Sequence, residues 1–294
     1  MNTPDLGPAE AIYGTGKNPG STAIYNIIKS TLEFPTDETE PLAKGTKLAN
    51  DIAWIWQSAD KDLFQMSTWY VWKVLLDVVQ CVPSEHPWQT LLVEAVVNLS
   101  RREGTISDRY EHPERVLFQD LPDLGMALLE SWQEPRYVNG YDSPQFLQGY
   151  RNLNSFLAHL SLLVDRIPWT RFAIDQLRIA LEEEPDELAD AAAVECKLWV
   201  ATEWIIHGAE TLRWLIRDFE HSGEELDDDG ENRTFRKGPL VPECKSLGSD
   251  RWNFWKKRFA EIASGNGGEL DAATIERVKT AWEIMESEET RYAQ

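Results

Sequence analysis

The sequence predicts an all-α protein, and three observations lead to this prediction. Apolar residues recur at steps of three and four along most of the chain, no run alternates with a period of two over the length of a strand, and several segments carry helix start and stop residues. Hydrophobic residues make up 42% and charged residues 27% of the 294 residues, so the chain can bury a substantial core. We expect one domain, a tryptophan-rich bundle of about nine helices around a long central helix.

The first twenty residues are predicted to form an extended arm, because they contain four Gly and three Pro with little apolar periodicity. The stretch from Gly14 to Gly20 superficially suggests a phosphate-binding loop. It lacks a preceding apolar strand and the required glycine and lysine spacing, so we interpret it as a simple loop.

Residues 21–289 are predicted to form the helical domain. Its first helix begins near Ser21 and is stopped by Pro35, since proline cannot continue a helix. The same periodicity, with start residues such as Ser84 and Ser143, predicts the next helices. They cover approximately residues 48–56, 60–79, 88–99, 120–132, 144–163 and 170–181.

The longest predicted helix runs from Asp186 to about Glu220 and would be about 50 Å long if unbroken. We place it at the centre of the bundle. An acidic loop over residues 222–245 follows, and helices over residues 251–263 and 271–288 close the domain.

The charge balance excludes two classes of partner. The 50 acidic residues outnumber the 29 basic ones and give a formal charge of −21. A surface this negative repels phosphate backbones and anionic lipid headgroups, so we expect neither a nucleic-acid nor a membrane partner. The sequence carries no signal for an oligomeric state.

Cysteine usage and the N-terminus indicate the compartment. Cys81, Cys196 and Cys244 are too few and too widely spaced for a disulfide framework or a zinc site. The N-terminus has no basic segment followed by an apolar one, and no apolar run reaches the roughly 18 residues of a membrane span. We therefore expect a cytoplasmic protein with reduced thiols.

Five motifs occur along the chain in a fixed order: WYVWKVLLDVV from Trp69, QDLPDL from Gln119, NLNSFLAHL from Asn152, WIIHGAETL from Trp204 and RWNFWKKRF from Arg251. This order resembles that of a family of fungal proteins catalogued only as a domain of unknown function, over roughly residues 45–285. The resemblance implies a helical, intracellular protein, and some members lie in gene clusters for secondary metabolites. It supplies no catalytic residues.

One face of the long helix carries the first candidate site. Spacings of four and three place Glu203, His207 and Glu210 on this face, with Trp199 and Trp214 one turn beyond each end. One interpretation makes His207 a general acid or base held by a carboxylate in an apolar site. The other is a pair that only satisfies its own hydrogen bonds, either on the helix surface or buried.

A second candidate group lies on the helix that follows Ser143. Asn152 and His159 share a face with apolar residues, and Asn154 is close by. Buried polar groups need partners, so these residues form either a structural hydrogen-bond network or a ligand-orienting pair in a pocket.

The sequence argues against metal chemistry. A two-metal carboxylate centre needs Glu-x-x-His pairs on two helices, whereas Glu203 and His207 are four residues apart and no second pair is evident. The acidic run from Asp227 to Glu231 fits neither an aspartate cluster on a helix nor a calcium loop. We expect no metal and no cofactor, and we interpret this run as a solvated loop.

Thirteen tryptophans either pack the core or shape a pocket around an apolar ligand. On the second interpretation Trp199, Trp214, Trp72, Asn152 and His159 are the candidate substrate-binding residues. No nucleophile elbow, paired-cysteine zinc pattern or His-Glu-x-x-His helix occurs in the sequence, which argues against most hydrolase and metalloprotein classes.

Two functional hypotheses follow from these patterns. The first is a cofactor-independent cyclase or isomerase, of the pericyclase or Diels-Alderase type, that acts on an apolar intermediate of fungal secondary metabolism. The second is a non-catalytic module that binds a small molecule or a protein. The enzyme hypothesis predicts a closed cavity of roughly 300 Å³ or more that His207 or His159 enters.

Overall fold

The computed structural model of the protein describes residues 2–35, 41–58, 64–105, 118–136, 142–164, 169–184, 191–222, 235–266 and 270–292. These residues contain eleven α-helices and no β-strand, which confirms the all-α prediction and exceeds the predicted count of about nine. No helix within these ranges combines the length and the apolar character needed to cross a membrane. The helices are α1 (Gly7–Tyr13), α2 (Pro19–Glu33), α3 (Pro41–Ser58), α4 (Phe64–Cys81), α5 (Pro87–Ser100), α6 (Leu124–Ser131), α7 (Pro144–Ser161), α8 (Trp169–Leu181), α9 (Ala191–Ser222), α10 (Ser249–Glu261) and α11 (Ala272–Tyr292).

The N-terminal residues differ from the predicted extended arm, because α1 and the start of α2 lie within it. Tyr13, at the end of α1, is buried, and its hydroxyl donates a hydrogen bond to Asp77 of α4 at 2.5 Å. Asn18 caps α2 by accepting a hydrogen bond from the backbone N–H of Ser21 at 3.2 Å. Helix α1 has only seven residues and depends on tertiary contacts such as the Tyr13–Asp77 hydrogen bond. Local periodicity in the sequence does not reveal these contacts.

The contacts divide the chain into two compact units. Unit 1 comprises residues 1–134 and 148–156, and unit 2 comprises residues 135–147 and 157–294. Helices α1 to α6 and the middle of α7 belong to unit 1, whereas both ends of α7 and helices α8 to α11 belong to unit 2. The prediction of a single domain over residues 21–289 stays a prediction.

The core of unit 1 contains close helix packing and two fully buried tryptophans. Gly45 of α3 lies so near α5 that a Cβ atom there would be 2.6 Å from Cβ of Glu94. Trp56 and Trp72 pack edge to face with ring centroids 5.4 Å apart. The Trp72 indole N–H donates to the carbonyl of Pro122 at 2.6 Å. Trp72 is a predicted substrate-binding residue, but its indole N–H is hydrogen-bonded inside the core.

Helix α9 is the longest helix of unit 2. Its 32 residues extend about 48 Å, and it packs against α8 and α11. Its end at Ser222 agrees with the predicted end near Glu220, while the predicted start at Asp186 lies outside the described residues. The acidic run from Asp227 to Glu231 also lies outside them. Beyond the end of α9, the structure describes the predicted acidic loop only from residue 235 onward.

A buried ion pair links residues 235–246 to the end of α8 and to α10. The fully buried Arg251 donates to the Glu182 carboxylate through Nε at 2.6 Å and through Nη2 at 3.0 Å. The indole N–H of Trp255 and the backbone N–H of Gly238 also donate to this carboxylate, at 2.6 and 2.7 Å. Both charges are therefore compensated and hydrogen-bonded, as burial requires. Arg251 further donates to the carbonyls of Phe235, Arg236 and Ser246.

Candidate functional site

Three side chains from two helices meet in unit 2. His159 lies near the end of α7, and Glu203 and His207 lie one turn apart on α9. One nitrogen or carboxylate oxygen from each residue lies within 4.8 Å of the others. The two imidazole rings are in contact, with centroids 3.7 Å apart. We call these three residues the His–Glu cluster, which combines members of both groups predicted from the sequence.

The cluster is buried at its carboxylate and open at its imidazoles. The Glu203 side chain is only 2% exposed, whereas that of His207 is 27% exposed and His159 is half-buried. The i and i+4 spacing on α9 produces this gradient, because Glu203 lies among buried residues of the helix and His207 lies one turn further along. Both histidines therefore remain partly exposed to solvent.

Arg277 of α11 is the counter-ion of the buried carboxylate. Its guanidinium forms an ion pair with Oε1 of Glu203, and its Nε donates to the Thr202 hydroxyl at 3.4 Å. The guanidinium carbon lies 4.4 Å from the ring centroid of Trp199, within the range of a cation–π contact. Trp199 and Arg277 thus hold Glu203 in place.

The second oxygen of Glu203 has a different environment. Oε2 is buried and has no hydrogen-bond partner among the described residues. Its distance to Nε2 of His207 is 3.6 Å, which is longer than a hydrogen bond. A buried acceptor without a partner is energetically costly and rare in native structures. This oxygen faces the histidine side of the cluster.

Burial, together with the neighbouring His159, lowers the pKa of His207 to about 4. Removing an imidazole from water disfavours its charged form, and the adjacent ring adds to this effect. The His207 ring is therefore uncharged near neutral pH, and one of its nitrogens carries a free lone pair.

Two residues predicted beside the cluster lie outside it. Glu210 is exposed, with Arg291 at 3.8 Å, and does not belong to the group of converging side chains. Trp214 is 60% exposed and lines an open cleft of about 280 Å³. Neither His159 nor His207 lines this cleft. It is therefore not the closed cavity at these two histidines that the enzyme hypothesis predicts. Its other lining residues are Arg217, Asp218 and His221.

A family model described as "Protein of unknown function (DUF3632)" matches residues 72–259, more than half of the chain. The chain belongs to this family. The predicted membership of a family of unknown function is thereby confirmed. Comparison with curated proteins and with solved structures finds no match. Membership of DUF3632 assigns no activity.

The segment matched to DUF3632 contains the whole His–Glu cluster and also Asn152. Asn152 is buried in unit 1, where its Nδ2 donates to the carbonyl of Gln80 at 2.8 Å and its Oδ1 accepts from Gln148 at 2.8 Å. Asn154 donates to the carbonyl of Tyr150 at 2.9 Å. These bonds join α7 to α4 and stabilise α7 itself, which is the structural role considered in the sequence analysis.

Sequence reasoning missed Arg277, which lies beyond the segment matched to DUF3632. One weak signal was present. Arg277 is three residues after Thr274 and four residues before Ala281, and both of these are buried, so the arginine shares the inward face of α11. A charged residue on a buried face needs a partner of opposite charge, and a buried glutamate is such a partner.

Proposed function

We propose that the protein is an enzyme that isomerises or cyclises an apolar small molecule by proton transfer at the His–Glu cluster, without a cofactor. The observation that carries this proposal is the contact between two partly exposed imidazole rings, 3.7 Å apart, beside a buried carboxylate. Imidazole is the side chain most often used for proton transfer, and positioned groups of this kind accelerate reactions by about 10²- to 10⁴-fold.

In an isomerisation of this kind, one imidazole nitrogen accepts a proton from a C–H bond of the substrate. The electron pair of that bond becomes part of a shifted double bond. A proton from the same ring, or from the ring in contact with it, is then delivered to another carbon. Proton exchange between His159 and His207 restores the starting state, so substrate and product contain the same atoms and no oxidant or reductant is needed.

The other residues around the cluster position and stabilise it. The Glu203 carboxylate lies 3.6 Å from Nε2 of His207 and would partly offset burial and the neighbouring His159, both of which disfavour the imidazolium that forms when His207 accepts a proton. Arg277 and Trp199 act as positioning residues, since they contact Glu203 or Arg277 and hold the carboxylate in one orientation.

The wider setting that we propose is the cytoplasm and fungal secondary metabolism, with an apolar intermediate as the substrate. The resemblance described in the sequence analysis supports this setting. The formal charge of −21 supports the absence of a nucleic-acid partner, because phosphate backbones are repelled.

The proposal is tested with 5-nitrobenzisoxazole, an apolar probe whose ring opens when a base removes one C–H proton. The full-length protein is treated with a chelator so that no metal ion contributes. We expect wild-type protein to open the probe and His207→Gln to lower the rate by about 10²- to 10⁴-fold, because the proton acceptor is lost.

His86→Asn is the matched control for this test. It removes a histidine from unit 1, where the His86 ring caps α5, and asparagine is also a good capping residue. We expect it to keep the wild-type rate. A wild-type rate no higher than that of an equal concentration of free imidazole would contradict the proposal.

The cleft at Trp214 favours a second candidate function, non-catalytic binding of a small molecule. Its volume of about 280 Å³ is near the lower end of ligand pockets, and an exposed tryptophan at its wall offers a large apolar contact. The two functions are separated by NMR during titration with a panel of apolar small molecules. Shifts confined to the Trp214 indole would favour the binding module, whereas shifts of the His159 and His207 imidazoles would favour the enzyme.

A further inference from the structure

We propose that the His–Glu cluster binds one divalent first-row transition-metal ion, such as Zn²⁺, through one nitrogen each of His159 and His207 and through Oε2 of Glu203. The sequence predicts no metal, because no metal-ligand spacing is complete along the chain. The three ligands come from α7 and α9, and only folding brings them together. This inference uses the residues of the proposed enzyme site but does not depend on that function.

The chemistry of the three donors selects the class of ion. Imidazole nitrogen is a good ligand for Zn²⁺, Fe²⁺, Co²⁺ and Ni²⁺, whereas Mg²⁺ and Ca²⁺ prefer sites made only of oxygen. Two imidazoles and one carboxylate are a frequent protein ligand set for zinc, with a fourth position left for water or a ligand. The cluster therefore favours a transition-metal ion over an alkaline-earth ion.

The geometry of the side chains is close to that of a bound state. In a tetrahedral site with bonds of about 2.0 to 2.2 Å, ligand atoms lie about 3.4 Å apart. Nε2 of His207 and Oε2 of Glu203 are already 3.6 Å apart, and the three donor atoms lie within 4.8 Å of one another. The two imidazoles are partly exposed, so they would have to rotate against each other to bring their nitrogens to bonding distance of one ion.

The unpartnered oxygen of Glu203 is an independent observation that points to a ligand. Oε2 is buried without a hydrogen-bond partner among the described residues, while Arg277 occupies Oε1 of the same carboxylate. A ligating carboxylate is commonly held in this way, with one oxygen bound by a neighbouring donor and the other directed at the metal. A cation at the cluster would satisfy this oxygen.

The charges that face the cluster permit a cation to enter. Arg277 compensates the charge of Glu203, and both imidazoles are neutral ligands once a metal is bound. The positive guanidinium weakens the attraction, whereas the overall charge of −21 raises the local concentration of cations at the surface. A bound ion would occupy the lone pair that proton transfer uses, so we expect Zn²⁺ to slow the opening of the benzisoxazole probe.

The test is isothermal titration calorimetry of the full-length, chelator-treated protein with Zn²⁺. We expect one Zn²⁺ per chain, and we expect His159→Gln and His207→Gln each to weaken binding by about 100-fold or more. Loss of a partner that merely orients a ligand already costs about 10- to 100-fold, and these variants lose a ligand itself. Binding of Co²⁺ should also produce visible d–d absorption, which both variants should lose.

The controls separate the cluster from the acidic surface. Glu276→Gln removes a carboxylate of α11 that is 75% exposed, and we expect it to bind Zn²⁺ as the wild type does. An excess of Mg²⁺ should not displace Zn²⁺. The inference would be overturned by the absence of stoichiometric binding, by unchanged binding in both histidine variants, or by displacement with Mg²⁺. Calorimetry measures no turnover, so its outcome is separate from that of the benzisoxazole test.

Discussion

Glu203 and Glu182 are two buried carboxylates of unit 2 that differ in the hydrogen bonds their oxygens accept. Each is paired with an arginine, Arg277 for Glu203 and Arg251 for Glu182. Both oxygens of Glu182 accept hydrogen bonds, whereas Oε2 of Glu203 accepts none among the described residues. A fully satisfied buried pair fits a structural role, whereas the unpartnered oxygen beside two histidines is the observation behind the site that we propose.

The structural role of Glu182 leads to a stability prediction. Glu182→Gln leaves Arg251 buried without its counter-ion, so we expect the free energy of unfolding to fall by about 3–5 kcal/mol. Urea denaturation followed by circular dichroism measures this change. Glu184→Gln is the matched control, because Glu184 is an exposed glutamate two residues away, and it should change stability by less than about 0.5 kcal/mol. Equal effects of the two substitutions would contradict the assignment.

At the scale of helices, close packing of α3 on α5 in unit 1 depends on Gly45. A Cβ atom at this position would lie 2.6 Å from Cβ of Glu94 and 3.0 Å from the carbonyl oxygen of Leu91. One of these neighbours is backbone, so relief requires the helices to move apart. The absence of a side chain at residue 45 therefore determines how closely the two helices approach.

We expect Gly45→Ala to destabilise the protein by about 1–3 kcal/mol, because overpacking costs more than the gain of about 1 kcal/mol in helix propensity. Gly125→Ala is the control. Gly125 is also helical, but no atom lies within 4 Å of a Cβ placed there, so this variant should be neutral or slightly more stable. Thermal melts of both variants compare them directly. A more stable Gly45→Ala variant would refute this account of the α3–α5 contact.

The helices themselves could largely be predicted from the sequence, because periodicity and capping are local. Ser143 and Pro35 mark the ends of helices where the structure has them. Helix α1 was missed because its stability comes from contacts such as the Tyr13–Asp77 hydrogen bond, which joins residues far apart in the chain.

The candidate site could be predicted only in part, for a related reason. The i and i+4 spacing placed Glu203 and His207 together, since neighbours on one helix follow from its geometry. The contacts of His159 with His207, and of Arg277 with Glu203, cross between helices. Periodicity shows which face of a helix is buried, but it does not show which residue of another helix packs against that face.

The chain as a whole offers two facts that bear on function, its membership of DUF3632 and its formal charge of −21. The family supplies no reaction, and the charge disfavours anionic partners. The proposed proton transfer therefore belongs to one cluster in unit 2, made of His159, Glu203 and His207. It requires the two histidines to act as a unit.

The most direct test is a double-mutant cycle on the rate of benzisoxazole opening in chelator-treated protein. If the two imidazoles act together, His159→Gln and His207→Gln should each lower the rate by a similar factor, and the double variant should be little slower than either. Circular dichroism melts would verify that all three variants fold. Rates that multiply independently in the double variant, or that match the wild type in both single variants, would contradict the claim.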